Sequence, residues 1–169
     1  MNRLSRLLVT LVLLTSSINT NATSGLPFNI DVPDNWVPSV SSPATNSWSF
    51  VSEDNSQQLT VEIHPFVELP SHPQKHQYLI EFVAERQAVE TKHKGVLVVH
   101  NSINEKEYPT GYGYSYDLIG DDGWKASNKV ICNGYGIGVF FLETFDLTSS
   151  EFEDQKARLL NSVGMLDVE

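Results

Sequence analysis

Residues 111–124 read GYGYSYDLIGDDGW, and how their glycines are interpreted decides the fold. A dinucleotide-binding fingerprint requires G-x-G-x-x-G between a strand and a helix start, where free N–H groups hold the pyrophosphate. Counting from Gly111, the sixth position is Tyr116. In the later GYGIG at 134–138, the sixth position counted from Gly134 is Val139. Both segments continue with the two-residue alternation of a strand, and no P-loop lysine pattern occurs. Tyr112, Tyr114, Tyr116 and Leu118 fall on one face, with Gly111, Gly113, Ser115 and Asp117 on the other. The glycines therefore mark places where a strand bends or where another group packs against its backbone. Asp121–Gly123 reads as a turn. The stretch is scaffold, and no nucleotide cofactor is expected.

Downstream, residues 124–132 and 135–144 read as strands joined by a two-residue hairpin turn at Asn133-Gly134. Upstream, VLVVHNS at 96–102 is a strand. Before it, Tyr78, Leu79, Phe82, Val83 and Val89 recur at helical spacing, while Glu81, Glu85, Arg86 and Glu90 are expected to face away. That helix is placed at 74–93, stopped near Gly95, with Lys92 and Lys94 suited to its C-terminal dipole. Earlier still, SWSFVSE and QLTVEIHPF form a hairpin around EDNSQ. Phe28, Ile30 and Val32 form a short strand ending at Pro33, with Trp36 capping a core, and 37–46 reads as a Pro- and Ser-rich loop. A last helix is expected at 151–163, with Ser150 and Glu153 as a capping box and Phe152, Leu159, Leu160 and Val163 as its apolar stripe. Strands grouped together, rather than alternating one for one with helices, predict an α+β domain with an antiparallel sheet and packed helices.

The N-terminus carries Arg3 and Arg6, the apolar run LLVTLVLL at 7–14, and small residues up to Ala22. That order predicts a secretory signal peptide over 1–22, followed by one domain over 23–169. The apolar run is too short to span a bilayer, and no transmembrane segment is expected in the mature chain. The predicted location is the periplasm or the extracellular space. The chain has 11 Lys+Arg against 21 Asp+Glu. Loss of Arg3 and Arg6 leaves nine cations against 21 acids, a formal charge of −12. Such a surface disfavours nucleic acid and anionic lipid, and favours a protein partner with a basic surface. Cys132 is the only cysteine, so no intramolecular disulfide can form, and its setting in KVICN is that of a small buried hydrophobe.

The sequence carries few signs of catalytic chemistry. His72 and His76 are four residues apart, but Pro73 intervenes and no third ligand stands at a metal-binding spacing. Asp121 and Asp122 lack the alternating oxygen ligands of a calcium loop. Ser115 is followed by Tyr116, so the serine elbow G-x-S-x-G is absent. Neither a catalytic residue nor a metal or cofactor site is expected. A hydrolase built on Cys132 or Ser115 is the alternative reading, and a small hydrophobic ligand beneath the tyrosine face is another. For partner binding, GDDGW offers an exposed turn with Asp121, Asp122 and Trp124.

The opening F-x-I-x-V-P-x-x-W (Phe28, Ile30, Val32, Pro33, Trp36) is followed by LTVEI at 59–63, the long helix, the aromatic strands, and LLNSVGML at 159–166. In that order they resemble the PsbP-like family, named for an extrinsic photosystem II subunit, with a fungal Ran-binding factor and bacterial secreted relatives. The resemblance spans most of 26–166. It implies an antiparallel sheet between helices, an α-β-α sandwich, and a non-catalytic binding or assembly module. The expected role is thus a secreted binding protein: an immunity or inhibitor protein masking a toxic enzyme, or an envelope assembly factor.

Overall fold

A computed structural model describes residues 28–42, 46–93, 95–144, 149–162 and 164–165. The leader expected over 1–22 lies outside the described residues. The chain runs β1 (Phe28–Asn29), β2 (Val37–Ser42), β3 (Ser47–Val51), β4 (Gln57–Pro65), α1 (His72–Glu90), β5 (Leu97–Tyr108), β6 (Gly111–Ile119), β7 (Lys125–Cys132), β8 (Gly136–Thr144), α2 (Ser149–Ser162) and β9 (Gly164–Met165). Seven strands form one antiparallel sheet in the order β2-β3-β4-β8-β7-β6-β5. β1 and β9 make a separate two-stranded antiparallel ladder that ties the start of the described chain to its end.

Alternation along the strands divides the apolar residues between two cores. Ile131, Phe140 and Leu142 join Leu59, Val61, Phe28, Trp36, Leu159 and Leu160 in the core beneath α2. Val130, Cys132, Ile137 and Val139 point the other way, joining Tyr116, Leu118, Leu79 and Val83 beneath α1. Each fully buried aliphatic or aromatic side chain contributes on the order of 1.5–3 kcal/mol. The central strands β7 and β8 are therefore apolar on both faces, while β4 is buried on one face only.

Both segments with paired glycines are strands. Gly111 opens β6 and Gly138 lies inside β8. A Cβ on Gly111 would collide with the carbonyl oxygen of Cys132, and one on Gly138 would lie 2.7 Å from the Phe28 ring. Close approach to the backbone accounts for both, as the sequence indicates.

The local differences have physical causes. Residues 37–42 are the edge strand β2 rather than loop. Pro38 is tolerated because an edge strand need not donate on its outer side, and a bulge falls between Pro38 and Val40. β5 runs six residues past the expected strand end, accommodating a register shift between Val99 and Asn104. The β7–β8 turn has three residues, Asn133–Tyr135, because the Asn133 carboxamide accepts hydrogen bonds from the N–H groups of Tyr135 and Gly136. α1 begins two residues early, at His72, behind Ser71, whose N–H donates to Gln74 Oε1 at 2.8 Å. α2 begins at Ser149, so Ser150 lies inside the helix rather than capping it.

The most consequential correction concerns α1. Its inward stripe is Leu79, Val83, Arg86 and Glu90, whereas Tyr78 and Val89 are exposed. Spacings of four, three and four keep all four positions on one side of the helix.

Candidate functional site

The inward turn of α1 creates a charged network between helix and sheet. Glu90 accepts from the Tyr116 hydroxyl at 2.8 Å and from the Asn128 carboxamide at 3.3 Å. Arg86 pairs with Glu90 and with Glu62 of β4, each at 2.9 Å, and its guanidinium lies 5.7 Å from the centre of the Phe141 ring. Tyr116 has no solvent exposure. Burial and the Glu90 carboxylate push its phenol far above the ordinary value, so it remains a donor. Hydrogen bonding with His64, joined by the positive charge of Arg86, holds the Glu62 carboxyl below its ordinary value.

Beside this network, at the end of the molecule where α1 stops and β6 turns into β7, lies a hollow of about 370 Å³. It is lined by Arg86, Val89, Glu90, His93, Trp124 and Phe141, with Val96 behind. Trp124 is half-buried on its wall: its indole N–H donates to Glu143 at 3.1 Å and its ring faces Phe141 at 6.2 Å. The 120–124 turn is built around Gly123, whose φ of +88° requires glycine, and around Asp122, whose carboxylate accepts from the Trp124 N–H. Asp121 and Asp122 are both exposed. The three residues singled out in GDDGW thus occupy one rim, and Trp124 alone enters the hollow. Arg86, Glu90 and Phe141 were missed as its lining; the 79–83–86–90 spacing was the available signal.

The nucleophile candidates lie elsewhere. Cys132 is fully buried, and burial pushes its thiol up to about 11, away from thiolate chemistry at neutral pH. Ser115 faces the α2 side, opposite Lys129 in register, and away from His72 and His76, which flank Tyr112 beneath α1. His72 meets the Tyr112 hydroxyl at 2.9 Å and His76 pairs with Glu105. Among the described residues, no group of three or more His, Cys, Asp or Glu is placed to hold a metal ion. The tyrosine face is occupied by α1 rather than open to a ligand. No described helix is long and apolar enough to cross a membrane.

A second concavity, of about 560 Å³, opens on the α2 side over β5, β6 and β7. Lys106, Lys129 and Lys156 reach it from two strands and the helix, and Ser115 and Asp117 contribute from β6. No motif announces these lysines, because they are brought together only by strand register and by the docking of α2.

Neither protein-family models nor curated proteins match this sequence. Among solved structures, the chain is similar to the solution structure of cyanobacterial PsbP (CyanoP) from Synechocystis sp. PCC 6803. The TM-score is 0.54 at 13% identity, over 83% of this chain and 87% of that chain. At that identity the likeness lies in backbone architecture: an antiparallel sheet with two helices, in the PsbP-like fold.

Proposed function

We propose that this chain is a non-catalytic binding protein, exported to the periplasm or beyond, whose α-β-α sandwich presents the Trp124 end to a protein partner with a basic surface. The observation that carries this reading is the combination of an exposed acidic turn, Asp121 and Asp122, with an apolar hollow beside it. A basic side chain can lay its aliphatic stem along Trp124 and Phe141 while its charge meets the acidic rim. The chain's net charge of −10 adds long-range attraction for the same partner. Inertness of the buried Cys132 supports a non-catalytic role. An inhibitor or immunity protein masking a toxic enzyme fits this chemistry, as does an envelope assembly factor.

The test is capture from an envelope extract with the wild type and two variants. Asp121→Lys with Asp122→Lys should slow association by about tenfold or more at low salt, because steering is a rate effect. Trp124→Ala should hasten dissociation by a similar factor. A captured partner indifferent to both changes would place the interface elsewhere.

A further inference from the structure

We propose that the protein partner is held at the start of β5 by strand addition: an extended segment, apolar at alternate residues and basic at one end, pairs with the outer edge of Leu97–Val99. This rests on the partner reading above and names how such a partner is gripped.

β5 is the last strand of the sheet, so its outer edge pairs with no strand among the described residues. Exposed edges recruit other strands, and chains guard them with charge, proline or bulges. Most of this sheet's free edge carries such guards. β2, at the far side, has Pro38 and a bulge, and β5 beyond Val99 has its register shift followed by Glu105, Lys106 and Glu107. Leu97–Val99 has no charge, no proline and no bulge. Leu97 is 64% exposed, and Ile119, its partner in register, 42%. Val99 is exposed on that same face. On the other face, Val96 borders the Trp124 hollow and Val98 packs beneath α1.

The main chain here is turned to receive a strand. The Ser102 hydroxyl donates to the Val99 carbonyl at 2.6 Å and accepts from the Asp117 N–H at 2.7 Å, so the Val99 main chain faces β6. Strand alternation then turns the N–H and C=O of Val98 away from β6, toward the open edge. An added strand bonds there, lays alternate side chains over Leu97, Val99 and Ile119, and directs the others toward the hollow. Charge at this end sets the partner's sign. A Cβ on Gly95 would collide with the Asp121 carboxylate, which places that acid at the entry to β5. A basic residue at the end of the added strand meets it.

The probe is a soluble peptide of alternating valine and threonine with a lysine pair at each end, titrated by amide-shift NMR into protein produced from the full chain. One control is the same peptide N-methylated at two adjacent central residues, which cannot pair along either edge. The other carries glutamates in place of the lysines. The first peptide should shift the amides of Val98 and its neighbours saturably and slow hydrogen exchange at Val98. The methylated peptide should do neither, and the glutamate peptide should bind about tenfold more weakly at low salt. Val98→Pro removes the outward N–H, leaves the β5–β6 ladder its bonds, and should abolish binding. Leu97→Lys with Val99→Lys, at exposed positions, should weaken it about tenfold or more while β6 and β7 amide shifts stay in place. No saturable shift, an equal response to the methylated peptide, or binding unchanged by either variant would overturn the proposal. A captured partner sensitive to Asp121→Lys with Asp122→Lys but indifferent to Val98→Pro would also overturn it, with the partner reading intact. Pairing at Val98 with no partner captured would uphold the edge and sink the partner reading instead.

Discussion

The two faces of the sheet build their charged clusters from different groups. Beneath α1, Arg86 is matched by Glu62 and Glu90, and Glu90 is further held by Tyr116 and Asn128. One cation there stands between two carboxylates, and the neutral donors Tyr116 and Asn128 hold the second of them in place. On the α2 side, the apolar core beneath the helix gives way over β5 to β7 to three lysines, of which Lys156 pairs with Asp117 and Glu153. The α1 network joins helix to sheet through acids and neutral donors, whereas the α2 side gathers lysines from two strands and the helix.

The sharpest way to break this contrast is Glu90→Ala. It leaves Tyr116, Asn128 and part of Arg86 without a partner, and should lower stability by about 3 kcal/mol in chemical denaturation. A loss below about 1 kcal/mol would mean that the α1 network is not structural. Tyr116→Phe removes one neutral donor and keeps the Arg86–Glu90 pair. It should cost about 1–2 kcal/mol, and a value matching Glu90→Ala would show that the hydroxyl rather than the charge holds the interface.

On the other face the sign should reverse. Lys129→Met removes an ammonium that burial holds below its ordinary pKa, and should raise stability by up to about 1 kcal/mol. Since the folded-state pKa of Lys129 is depressed, the wild type should gain stability as pH climbs toward the ordinary lysine value of 10.5. The variant lacks that gain, so the gap between the two should narrow in alkaline melts. A constant gap would show that burial does not strain this lysine.

The smallest effect sits at the edge of the α1 network. The Glu62 carboxyl is depressed, so its contribution is present above the ordinary value of 4.5 and lost as pH falls through its lower folded value. Glu62→Gln should therefore be less stable than wild type at neutral pH, by under about 1 kcal/mol because the pair is partly exposed, and the two should converge in acid. A difference persisting below that range would point to packing rather than charge.

Much of the architecture was legible along the chain because strand alternation is a local signal. The assignment of Tyr112, Tyr114, Tyr116 and Leu118 to one face of β6, and of Ser115 and Asp117 to the other, holds residue for residue. So does the hairpin that pairs Trp48 with Val61 and Phe50 with Leu59. The edge strand β2 was obscured by Pro38, whose meaning depends on whether a neighbour needs its missing N–H. Glu90 was assigned to solvent because carboxylates usually face water. What turns it inward is Tyr116 and Asn128, 26 and 38 residues away. At the candidate site, Trp124 and its acidic turn were visible in GDDGW. The hollow they border was not, since it needs Phe141 and the end of α1 beside them.

By itself the sequence determined the run of strands and helices, the role of the paired glycines as points of close approach, and the strongly acidic balance, since each follows from neighbouring residues or from simple counting. Only the tertiary structure decided which charges meet. Lys106, Lys129 and Lys156 lie on two different strands and a helix, and their convergence depends on strand register and helix docking, set by packing over the whole sheet.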